Sequence, residues 1–261
     1  MKASGRKLAA MVVVAALGAA GAASAVVVQN GSLRITVLSQ IEPVKLPRAG
    51  TAPIAVFVSG HIATPDKTVP PQLQKMTIFV NRHGLLQSQG LPTCSLAAIK
   101  TSSSENAVEQ CGDALVGSGR FWASVVFPDQ RPYPTRGRLL IFNGRSDGKP
   151  TLFAHIYTTV PFTTSFVIAF RLQHIDKGPY GTKLTASLPT ALGEWGFVDR
   201  IKLTLRRKYT FHGQRLSYFN AGCPAPKGAN AATFPLARAA FEFGESKSIA
   251  ITVPKTCRVA G

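Results

Sequence analysis

Five histidines offer the most direct route to metal or acid–base chemistry: His61, His83, His155, His174 and His212. No two stand at H-x-H or H-x3-H spacing, so no single strand or helix presents paired ligands. His61 and His155 fall within strand patterns, His155 between Phe153 and Tyr157, and a structural role is the expectation for each. The sequence therefore gives no metal site. The nucleophile elbow G-x-S-x-G is also missing. Gly117-Ser118-Gly119 comes nearest, but it leads into a strand, whereas an elbow joins a strand to a helix. These glycines read instead as a bend or bulge at the strand entry. No phosphate loop or dinucleotide fingerprint is present, so no cofactor is expected.

Glycoside hydrolysis needs two carboxylates at a fixed separation. Glu194-Trp195-Gly196 sets an acid beside an aromatic, as sugar sites do, although a tryptophan more often anchors packing. A glycan hydrolase whose carboxylates meet only in the fold is thus the alternative reading, and no catalytic residue is assigned.

The most concrete binding feature is a basic stripe. From Val198 to Phe211 the chain alternates, with Ile201, Leu203, Leu205, Tyr209 and Phe211 on one side. Lys202, Arg206, Lys208 and His212 share the other, where i, i+2 positions of one strand lie about 7 Å apart. Such a row suits a polyanion, and equally a charged face that guards a sheet edge.

The elements that must position these residues read as strands. Residues 54–58, 76–80, 121–127, 138–142, 151–157, 165–170, 182–188, 239–243 and 249–253 are apolar or alternating runs. Asn143-Gly144 and Asp147-Gly148 make residues 138–157 a hairpin with a long turn. Turn residues recur roughly every ten positions, the spacing of an all-β sandwich or barrel. The expected fold is an antiparallel β-sandwich of about ten or more strands with long loops. Little or no helix is expected beyond one or two turns at Ser104–Gln110, capped by Ser104. Residues 128–137 carry three prolines and mark a possible subdivision of one domain spanning residues 26–261.

The chain opens with Lys2, Arg6 and Lys7, continues in an uncharged apolar run and reaches Ala23-Ser24-Ala25. This is the layout of a secretory signal peptide, residues 1–25, cleaved after Ala25. The competing reading is a retained anchor, since Leu8–Val28 carries no charge and about 20 apolar residues span a bilayer. No second run of that length follows. Of 261 residues, 236 then remain, with 27 cations against 12 anions. A basic exported protein favours anionic partners: wall polymers, anionic lipid, nucleic acid or acidic glycans.

Four cysteines, Cys94, Cys111, Cys223 and Cys257, all lie beyond the leader. An even count in an exported chain reads as disulfides, with three pairings possible. Cys94–Cys111 and Cys223–Cys257 are the local ones and are expected. Bridging the first, about 17 residues apart, is worth roughly 3 kcal/mol by loop entropy. Zinc is the alternative, and the close C-x2-C pairs it favours are absent.

Asn81-Arg82-His83-Gly84, Gly137-Arg138-Leu139-Leu140-Ile141-Phe142-Asn143-Gly144, Ala221-Gly222-Cys223-Pro224-Ala225-Pro226-Lys227-Gly228 and Phe234-Pro235-Leu236-Ala237-Arg238-Ala239 are spread over most of the mature chain. Through them the chain resembles an uncharacterised family of exported all-β proteins from high-GC actinobacteria. The resemblance implies no activity and transfers no functional residue. The sequence alone thus points to a secreted or envelope module, non-enzymatic, whose basic face binds an anionic polymer.

Overall fold

The computed structural model describes residues 25–188, 196–244 and 246–260. The expected leader, apart from Ala25, lies outside these, as do Glu194 and Trp195. The alternating runs become strands: β1 (Ala25–Asn30), β2 (Leu33–Glu42), β3 (Lys45–Leu46), β4 (Ala52–Pro53), β5 (Ala55–Ala63), β6 (Leu73–Asn81) and β7 (Gly84–Leu86). Two helices follow, α1 (Leu96–Ile99) and α2 (Ser104–Cys111), and then β8 (Leu115–Val125), β9 (Tyr133–Ser146), β10 (Lys149–Thr158), β11 (Thr164–His174) and β12 (Tyr180–Ser187). The chain ends with β13 (Gly196–Leu205), β14 (Lys208–Phe211), β15 (Gln214–Ser217), β16 (Phe219–Ala221), β17 (Ala231–Phe243) and β18 (Ser248–Val259).

The protein is all-β. Thirteen strands form one sheet in the order β1-β2-β5-β13-β8-β9-β10-β11-β12-β6-β17-β18-β3. Its pairings are antiparallel except for the short parallel contact of β18 with β3. The two layers of the expected sandwich are thus one continuous sheet that curls back on itself. At its ends Val28, Leu33, Ile35 and Ile62 of β1, β2 and β5 pack against Phe241, Phe243, Ile249 and Ile251 of β17 and β18. Two hydrogen bonds tie these ends. Asn30 Nδ2 donates to Ser248 O (3.2 Å), and Lys255 Nζ donates to Ser39 O (3.0 Å).

The inner face carries the main core: Phe121, Leu139, Ile141, Leu152, Ala154, Ile156 and Ile168, closed by Tyr218, Phe219 and the Cys223–Cys257 bridge. Each Leu, Ile and Phe side chain of this set contributes roughly 1.5–3 kcal/mol by leaving water. This is why the register follows the alternation: a slip of one residue would turn the whole apolar set outward.

Several local expectations change in detail. The β9–β10 hairpin turns in two residues, Asp147 (φ 51°) and Gly148 (φ 70°), the positive pair that a type I′ turn requires. Asn143 and Gly144 lie within β9, because Asn143 Nδ2 bonds Pro92 O (2.9 Å) and leaves the turn to Asp147-Gly148. Residues 128–132 form the turn of the β8–β9 hairpin, and residues 133–137 are the first paired residues of β9. The glycine pair behaves as its position suggested. The register shifts between Leu115 and Gly117, and a Cβ on Gly119 would strike the Lys202 carbonyl oxygen.

Both disulfides pair locally as expected, with Cα separations of 5.4 Å for Cys94–Cys111 and 5.7 Å for Cys223–Cys257. The first staples a helical flap over the outer face of β9 and β10. Cys94, Ile99, Ala107, Cys111 and Ala114 cover Leu140, Phe142 and Phe153. The helix at Ser104 forms, but its cap is Ser103, whose hydroxyl accepts from Asn106 N, while Ser104 is buried. Among the described residues, no helix is long and apolar enough to cross a membrane.

Candidate functional site: a cationic outer face

The predicted stripe is divided. Residues 198–211 do not form one strand: β13 ends at Leu205, and β14 belongs to a separate two-stranded sheet with β15. The chain leaves the large sheet at Arg206 and Arg207. Arg206 N bonds Val116 O (2.9 Å), and the Arg207 guanidinium bonds Asp113 O (3.0 Å). The alternation in burial survives this break: Lys202, Arg206, Lys208 and His212 are all exposed. Only Lys202 lies on the large sheet. Lys208 is on the hairpin, and His212 occupies its turn at φ 48° beside the Phe211 ring. Lys202 is no edge guard either, because β13 lies between β5 and β8.

Lys202 instead belongs to a row that crosses strands. Its register partner on β8 is Arg120, and the partner of Arg120 on β9 is Arg138. Partners opposite one another have Cβ atoms about 5 Å apart, so three cations stand side by side. All three are exposed. Two residues further along the strands a second row reads Arg200, Trp122, Arg136, which places an indole between two guanidinium groups. The rows are about 7 Å apart. His61 on β5 continues the second row beyond Arg200, and Ser59 continues the first beyond Lys202. Five cations with a central tryptophan thus share one outward face of three adjacent strands.

Few carboxylates answer this charge. Glu105 of the flap reaches Arg138 at 3.9 Å. Asp199 sits at a bulge in β13, where the register shifts between Val198 and Arg200, and Ser124 Oγ donates to its Oδ2 (2.9 Å). Burial pushes the Asp199 carboxyl above its usual range, against the Ser124 bond and the charges of His61 and Arg200. Burial, aided by Arg200, holds His61 below the ordinary histidine value, although Asp199 opposes the shift. His61 is thus neutral at neutral pH, and the fixed charge of the face is carried by Arg120, Arg136, Arg138, Arg200 and Lys202.

His155 has a different place. It is fully buried beneath the flap, and its Nε2 bonds Ser102 O at 3.0 Å. Since a carbonyl only accepts, Nε2 carries the proton, and Nδ1 has no partner among the described residues. Desolvation lowers its pKa. Among the described residues, no three His, Cys, Asp or Glu side chains group as a metal site. An inner cavity of about 50 Å³ lies between Phe121, Ala123, Phe166, Ile168 and Val198, with Gln72, Thr135 and Thr158 also in its mainly apolar lining.

The sequence did not single out Arg120, Arg136, Arg138 and Arg200. The available signal was phase: Arg136/Arg138 and Arg200/Lys202 are i, i+2 pairs, and Arg120 shares its phase with Trp122. The pairing of β13 with β8, which brings them together, follows β12 by a crossover that no local pattern reveals. No protein family, curated protein or solved structure matches the chain.

Proposed function

We propose that this protein is an exported, non-enzymatic module that holds an anionic polymer against the cationic face of β8, β9 and β13. The observation that carries the reading is the in-register row Lys202–Arg120–Arg138. Like charges directly opposite one another destabilise a sheet, and a local conflict of this kind is expected where a site is built for something else. A bound row of phosphates, sulfates or carboxylates would relieve it. Arginine supplies four of the five cations, and its planar fork matches such groups with paired hydrogen bonds. Export fits the two disulfides, which persist outside the reducing cytoplasm.

The test compares two variants on an anionic column across a salt series. Arg120→Gln/Arg138→Gln/Lys202→Gln removes the row, while Arg206→Gln/Lys208→Gln removes the charges that continue toward the hairpin. Early elution of the first, with unfolding unchanged and with the second retained like wild type, is the expected result. Equal retention of all three proteins would end the proposal.

A further inference from the structure

We infer that the same cationic face also meets an anionic lipid bilayer at headgroup level, entered by two hairpin tips beside the face; this rests on the proposed binding face. The β8–β9 and β10–β11 turns lie at the same end of the sheet, since Val125 pairs Tyr133 while Thr158 pairs both Gly137 and Thr164. Phe127 bridges the two turns, with ring centroids 6.1 Å from Tyr133 and 6.4 Å from Phe162. Val160, Tyr133 and Phe162 are 54%, 45% and 42% exposed, half of the large exposed hydrophobics among the described residues. Their gathering on one tip makes a patch, whereas scattered apolar residues would need no explanation.

The two turns are tied together at their base. Thr135 and Thr158 join their hydroxyls at 2.6 Å, and the Thr135 hydroxyl also bonds Val160 O. Thr159-Val160-Pro161-Phe162-Thr163 carries no charge. In the other turn Arg131 stands two residues from the one acid, Asp129. The rings are inclined, at 66° for Phe127–Tyr133 and 47° for Phe127–Phe162, so they share no flat platform for a sugar. Inclined apolar rings suit acyl chains. Arg136 follows Tyr133 by three strand residues, roughly 10 Å. Peripheral apolar faces dip about 5–10 Å into the headgroup boundary, which leaves Arg136, and Arg138 beyond it, among the lipid phosphates.

The experiment uses the full mature protein with vesicles of phosphatidylglycerol and phosphatidylcholine, vesicles of phosphatidylcholine alone, and a soluble polyanion column. A second protein carries Val160→Asn/Phe162→Ser, both exposed positions. Sedimentation should show wild type on the anionic vesicles only. The tip variant should bind them about ten-fold more weakly while holding the column as wild type does. Wild type should also raise the surface pressure of an anionic monolayer, and the tip variant should not. Equal vesicle binding by the two proteins overturns the inference. Wild type that holds the column yet ignores anionic vesicles overturns the lipid partner and leaves the cationic face standing. Failure on both probes overturns both.

Discussion

His155→Gln should flatten the pH dependence of stability on the acid side of neutrality. In the native protein His155 is neutral, buried and bonded only through Nε2 to Ser102 O. Protonation would place an N–H at Nδ1, where no acceptor stands among the described residues, and its cross-strand neighbours Leu140 and Val167 are apolar. Desolvation therefore holds the folded pKa below the unfolded value of 6.5. With that sign the unfolded chain takes the proton first. The stabilisation is complete above the unfolded pKa and declines as pH falls below it. Lowering the pH from about 7.5 to about 5.5 then costs at most about 1.4 kcal/mol from this residue. For a domain of this size the loss corresponds to a fall in Tm of roughly 3–6 °C. Glutamine can still donate to Ser102 O but does not titrate, and His61 stays in both proteins, so its contribution cancels. Thermal unfolding of the two proteins across this range gives the comparison, and amide exchange at residues 101–103 reports the flap locally. Parallel Tm–pH curves for wild type and His155→Gln would refute the argument.

Cys94→Ser/Cys111→Ser should lose about 3 kcal/mol in denaturant unfolding and open residues 95–110 to proteolysis, since the bridge holds the flap on Leu140 and Phe142. Asp199→Asn should tighten polyanion binding two- to five-fold by roughly the effect of one removed neighbour charge. The asparagine carbonyl still accepts from Ser124. Because burial raises the Asp199 pKa, its stabilising contribution is present below the unfolded value of 3.8 and lost as pH rises through the folded one. The variant should thus be at least as stable at neutral pH by thermal unfolding, and weaker binding would contradict the placement of Asp199 on the face. Gly119→Ala should destabilise by roughly 1–3 kcal/mol in the same assay, since its Cβ would meet Lys202 O and lie 2.9 Å from Leu203 Cα.

What could be read in the chain was local. Alternation at Ile201, Leu203 and Leu205 assigns the face that Lys202 presents, because burial of three aliphatics outweighs any competing preference of the segment. Cysteine spacing indicated both bridges for a similar reason, since short loops close at the least entropic cost. The break at Arg206-Arg207 was hidden. Alternation continues through it, and the carbonyl that receives the Arg207 guanidinium belongs to Asp113, 94 positions away. Strand order was hidden too. Nothing near Arg120 announces that Lys202 will be its neighbour, because that depends on β13 entering between β5 and β8. The site therefore lay in the sequence as cations of matching phase, and became a face only through non-local pairing.

The salt dependence of affinity for a uniform polyanion tests the central claim most directly. Single-stranded DNA serves as the calibrated probe, because each neutralised phosphate contributes about 0.7 to the slope of log K against log salt. Five engaged cations predict a slope of about −3.5, and Arg120→Gln/Arg138→Gln/Lys202→Gln should reduce it to about −1.4. Fluorescence anisotropy across a salt series gives both numbers. A wild-type slope of that size that falls on removal of the row is the predicted result, and an identical slope in the two proteins would contradict a binding face at β8, β9 and β13.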